Sequence, residues 1–125
     1  MEQAKMSILV VDDEPDLVDI TAELLEMQGF DAVRAYSGRE ALRLFLQTPT
    51  DLILSDIRMP NGDGVWLVSE IRKLAKQPLG FAFMSAYSDH SRDDLLRFGA
   101  DELFQKPVNA SALVAFLRSR TSPKP

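Results

Sequence analysis

An apolar run at residues 8–11 leads straight into three acids, Asp12, Asp13 and Glu14. Three more runs end in residues able to do chemistry. Residues 52–55 lead into Asp56, residues 80–84 into Ser85, and residues 102–105 into Lys106 and Pro107. If these runs are neighbouring parallel strands, their last residues share one edge of a sheet. That edge, outside the carboxyl ends of the strands, is where open α/β sheets place their sites. Carboxylates crowded there repel, and one takes up a proton unless a cation intervenes. Oxygen ligands of this kind suit Mg²⁺, which binds through one or two carboxylates plus phosphate oxygens. Lys106 can neutralise a further anion and Ser85 can hydrogen-bond one. An aspartate beside a divalent ion, a lysine and a hydroxyl is equipped to attack and carry a phosphoryl group.

Such residues need rigid elements behind them. Residues 8–11 are apolar on both faces, as in a parallel strand covered on both sides. Leu17, Ile20, Leu24 and Met27 recur at helical spacing and predict the inner face of a first helix, with Gly29 placed to end it. Residues 30–36 read as a weaker strand nearer an edge. Ser37 and Glu40 form a capping box for a helix with Ala41, Leu42, Phe45 and Leu46 inward. Residues 51–56 make a third strand. A helix from Gly64 carries Leu67, Val68, Ile71 and Leu74 on one side. Residues 79–86 make a fourth strand, residues 93–98 a short helix before Gly99, and residues 102–105 a short fifth strand. Asn109 caps a last helix with Leu113, Phe116 and Leu117 inward. Strands alternating with helices predict an α/β fold of three layers around a parallel sheet.

Composition bounds the rest. A chain of 125 residues, 46% apolar, is the size of one domain. A net charge of −5 argues against a general nucleic-acid or anionic-membrane surface. No cysteine is present, which excludes disulfides, a thiol nucleophile and a thiolate metal site. No apolar run approaches a membrane span, and the N-terminus lacks a signal-peptide core, so a cytoplasmic location is expected. The single histidine, His90, sits in a polar stretch and is read as solvated. The last residues, RSRTSPKP, read as a basic tail or linker.

The stretches VVDDEPD, LSDIRMPNGDG, SAY and QKPV resemble, in order and spacing, the receiver domains of two-component response regulators. Each motif alone is common; four in register at four successive strand ends are specific. The resemblance implies a doubly wound, flavodoxin-like (βα)5 fold with strand order 2-1-3-4-5, a domain over residues 1–120 and a tail over 121–125. It implies that Asp56 is the phosphoacceptor and that Asp12, Asp13, Asp56 and the backbone carbonyl of Arg58 hold Mg²⁺. Ser85 would close on the phosphoryl group and Lys106 would pair with it. Pro107 follows the lysine as in the family. The donor would be a sensor histidine kinase or a phosphotransfer protein. The output would pass to a domain or downstream protein through the face of the fourth helix, fifth strand and fifth helix, with a phosphorylation-dependent dimer as one form of it. Such a protein is not an enzyme toward other substrates; it promotes only its own phosphorylation and dephosphorylation.

Three places depart from the family pattern. Leu103 stands where the family usually has Tyr or Phe, and Phe104 should face the other way. The segment from Ser85 to Gly99 is about one residue short of the family's usual length. Trp66 falls between core positions, read either as a ring laid on its own helix or as a partner anchor. The resemblance implies that Arg58 and Tyr87 flank the approach of a hydrolytic water, and both are large. They are expected to shield the phosphate and slow its loss. Two other classes compete. A Mg²⁺-dependent phosphohydrolase would carry a second acid two residues after its nucleophile, where this chain has Arg58. A nucleotide or flavin module would follow the first strand with a glycine- or hydroxyl-rich loop, where this chain has acids.

Overall fold

The computed structural model describes residues 6–86 and 92–121. Strands and helices alternate: β1 (Ser7–Val11), α1 (Pro15–Met27), β2 (Asp31–Ala35), α2 (Gly38–Gln47), β3 (Leu52–Asp56), α3 (Gly64–Leu74), β4 (Gly80–Ser85), α4 (Arg92–Arg97), β5 (Glu102–Gln105) and α5 (Ala110–Thr121). The five strands form one parallel sheet in the order β2-β1-β3-β4-β5, the expected doubly wound, flavodoxin-like arrangement. Ile8 and Val10 face a layer made by α1 and α5, with Val18, Leu25, Leu113 and Leu117. Leu9 and Val11 face the opposite layer, with Phe45, Leu67, Ile71 and Leu95 from α2, α3 and α4. Cover on both sides is why β1, β3 and β4 are apolar without alternation. The outer strand β2 is only partly buried.

Most predicted inner faces hold, but that of α1 does not. Val18, Ala22 and Leu25 are buried, whereas Ile20 is 60% and Met27 84% exposed. The buried residues also repeat at helical spacing, one position further round. Both stripes are apolar, so periodicity alone cannot choose between them. Leu46 and Leu74, in the last turns of α2 and α3, are likewise exposed.

The caps explain where the helices start. Ser37 accepts the Glu40 amide at 3.1 Å, while the Glu40 carboxylate reaches past Ser37 to the Tyr36 amide at 2.7 Å. Asp63 accepts the Trp66 amide at 2.8 Å and Asn109 that of Ala112 at 3.0 Å. No side chain caps α1, which begins at Pro15. Asp13 is therefore not spent as a cap. As expected, Leu103 and Phe104 face opposite layers, and Phe104 packs edge-on against Phe116 with centroids 5.6 Å apart. Among the described residues no helix is long and apolar enough to cross a membrane. Tyr87 and His90 lie outside the described residues.

Candidate functional site

Asp12 directly follows β1 and is 1% exposed. Its carboxylate is fixed from two sides. One oxygen accepts the Glu14 amide at 3.1 Å, and the other receives the Lys106 ammonium at 2.7 Å. Lys106 directly follows β5, so this bond joins residues 94 positions apart. The same Nζ lies 3.3 Å from Oδ2 of Asp56, the last residue of β3. The other Asp56 oxygen accepts the Ile57 amide at 2.8 Å, which sets the orientation of the carboxylate. Asp13 is exposed, yet one oxygen from each of Asp12, Asp13 and Asp56 falls within 4.8 Å of the others. Ser85 ends β4, is 8% exposed, and its carbonyl accepts the Lys106 amide at 2.9 Å. The Lys106–Pro107 bond is cis. The structure thus gathers Asp12, Asp13, Asp56 and Lys106 in one cluster and sets Ser85 at the adjoining strand end. Arg58 lies two residues past Asp56 with its side chain exposed.

Three carboxylates face one ammonium, and the electrostatics register the excess. Burial, then the negative charge of Asp12, push the Asp56 carboxyl above the usual carboxylate range, against the pull of Lys106. Burial alone would lower the Lys106 ammonium. The hydrogen bond to Asp12 and the charges of Asp56 and Asp12 outweigh it, and its pKa is raised. Lys106 therefore stays protonated. An all-oxygen, anionic donor set with one open side fits a hard divalent cation such as Mg²⁺. Asp12 and Asp56 would offer inward oxygens and Asp13 one from the solvent side.

Sequence reasoning missed one arrangement. It left Lys106 waiting for an anion, whereas the ammonium is bound to Asp12, closer than to Asp56. The signal available was the surplus of acids at the strand ends: a lysine delivered to that edge pairs with the nearest buried carboxylate.

The family model of the response regulator receiver domain matches residues 8–118. The transcriptional regulatory protein CpxR of Klebsiella pneumoniae is 37% identical over 112 residues, which cover 90% of this chain and 47% of CpxR. The chain therefore spans about half the length of that relative. An uncharacterized 14.6 kDa protein of Leptolyngbya boryana is 35% identical over 117 residues, covering 92% of this chain and 89% of that protein. The CheY-like response regulator receiver domain from Methylobacillus flagellatus superposes with a TM-score of 0.86 at 26% identity, covering 94% of this chain and 99% of that one. Strand order, strand-end residues and a match along nearly the whole chain agree: the chain belongs to the response regulator receiver domain family of two-component systems.

Proposed function

We propose that this receiver is a phosphorylation-dependent switch that accepts a phosphoryl group on Asp56 from a sensor histidine kinase or a phosphotransfer protein. The observation that carries the reading is the convergence of three carboxylates within 4.8 Å, with Lys106 bridging two of them. The Ile57 amide holds the Asp56 carboxylate in one orientation as nucleophile. An Asp56 oxygen forms the new bond to phosphorus while the donor's N–P bond breaks. The leaving imidazole keeps the electron pair and takes a proton from solvent. Lys106, already protonated at the acceptor, meets the incoming phosphoryl charge, and the Ser85 hydroxyl donates to a phosphoryl oxygen. When held by Asp12, Asp13, Asp56 and the Arg58 carbonyl, Mg²⁺ would neutralise charge on the transferring group. Later hydrolysis resets the switch.

Binding a phosphoryl group draws Lys106 and the end of β5 toward Asp56. The output is then displacement of the α4–β5–α5 face, read by an output domain, a downstream protein or a second copy. Leu103 lacks the ring that would report this by rotation, so the reading relies on movement of the backbone. The domain is taken as residues 1–120, with 121–125 a tail, in the cytoplasm. Acetyl phosphate with Mg²⁺ should add one phosphoryl group that is acid-stable and hydroxylamine-labile, and Asp56→Asn should abolish it. Undiminished labelling of that variant would overturn the assignment.

A further inference from the structure

The loop between β3 and α3 carries Arg58, whose carbonyl belongs to the proposed cation site. Its far end is held by α2. The Gly38 amide donates to the Gly62 carbonyl at 3.0 Å, and the Arg39 amide to the Asn61 carbonyl at 3.1 Å. These are first-turn amides, which no bond within their own helix can satisfy. Asn61 and Gly62 turn their carbonyls toward α2 through consecutive positive φ angles, 58° and 94°. Asn is, after glycine, the residue that most readily adopts this conformation, so the Asn61–Gly62 pair is suited to the turn. The approach is close: a Cβ on Gly38 would collide with the Gly62 carbonyl.

Trp66 supplies the other wall. A Cβ on Gly62 would stand 2.9 Å from two atoms of the indole ring, so the ring fills the space a side chain there would take. The Arg39 guanidinium lies 4.9 Å from the ring centroid. The indole is thus held between the Gly62 backbone and Arg39, while its own amide is bound by Asp63.

We infer that Trp66 and Arg39 are positioning residues of the cation site. They clamp Asn61–Gly62 onto the N-terminus of α2 and thereby hold the Arg58 carbonyl where a cation at Asp13 and Asp56 can reach it. The inference rests on the Mg²⁺ reading of the acidic cluster. Linkage requires the converse as well: a bound cation tightens the clamp as much as the clamp favours the cation.

The test pairs Mg²⁺ titration by calorimetry with amide hydrogen exchange, on the wild type, Trp66→Leu, Trp66→Phe and Arg39→Ala. Trp66→Leu should raise the Kd for Mg²⁺ about tenfold, the low end for loss of a group that orients a ligand. Arg39→Ala, at an exposed site, should raise it about threefold with little change in stability, as only a cation–π contact is lost. Trp66→Phe should stay near the wild type. The Gly38 and Arg39 amides should exchange faster in Trp66→Leu and slower in the wild type with Mg²⁺, while the amides of Ile53 and Phe83 keep their protection. Unchanged Kd in Trp66→Leu and Arg39→Ala would overturn the inference. A wild type that binds no Mg²⁺ would overturn the cation site itself. The exchange measurement without metal still decides the clamp, which falls if Trp66→Leu leaves both amides protected.

Discussion

The role proposed for Asp56 works against the fold. Burial and the neighbouring Asp12 raise its carboxyl above the usual range, so the folded state holds its proton more tightly than the unfolded chain does. Any stability Asp56 contributes is therefore present below its unfolded pKa and lost as pH rises through its higher folded pKa. At neutral pH without a divalent cation, its ionised form is a cost. Asp56→Asn should then stabilise the protein at pH 7 by about 1 kcal/mol, the ordinary size of a single-site effect. For a domain of this length that is about 4 °C in Tm. The gap should narrow as pH falls toward the carboxylate range. A thermal scan against pH, without Mg²⁺, checks this; a lower Tm for the variant at pH 7 would refute it. At this scale the candidate site was largely legible, because Asp12, Asp56, Ser85 and Lys106 each end or directly follow a strand, and Asp13 is the next residue after Asp12. What the sequence did not reveal was pairing. Which acid holds Lys106 depends on distances of tenths of an ångström between residues far apart in the chain.

The elements were legible where one physical signal dominated. Buried strands announce themselves by unbroken apolar runs, and α2 and α5 by caps that the structure bears out; the Asp63 cap of α3 was not read from the sequence. Helix α1 was read in the wrong rotation because it carries two adjacent apolar stripes, and only the sheet beneath selects between them. Ties between elements left no local pattern at all. Arg72 on α3 donates to the Gly99 carbonyl at 2.9 Å, to that of Leu79 at 3.0 Å and to the Asp101 carboxylate at 3.2 Å. That carboxylate also takes the Phe81 amide at 2.9 Å. One guanidinium thus pins the end of α3 to the start of β4 and to the turn before β5. A lysine cannot reproduce a planar fork with several donors. Arg72→Lys should therefore cost about 1–2 kcal/mol, the loss of one or two net hydrogen bonds. Denaturant unfolding measures it, and a cost as small as that of an exposed Lys73→Arg change would show that charge alone suffices.

The whole molecule is coupled to its site because the site exists only when four strands are in register. Unfolding separates Asp12 from Lys106 by 94 positions of chain and dissolves the cluster. A cation that needs Asp12, Asp13 and Asp56 together binds the folded state alone, and mass action then raises stability with its concentration. At ten times the Kd the gain is about 1.4 kcal/mol, or about 5 °C in Tm for a domain of this length. Sodium chloride of equal ionic strength screens the same repulsion without being coordinated, and should raise Tm by less. The two effects at Asp56 then oppose each other. Without Mg²⁺, Asp56→Asn should melt above the wild type; as Mg²⁺ is added, the wild type should climb and the variant should scarcely move, so the curves converge. Asp13→Ala should start near the wild type and lose most of the climb. Thermal scans over a Mg²⁺ series, with Trp66 fluorescence as a second readout, decide the matter. Equal climbs in wild type, Asp13→Ala and Asp56→Asn would mean that the cation acts elsewhere, and that the crowding at the strand ends is relieved by Lys106 alone.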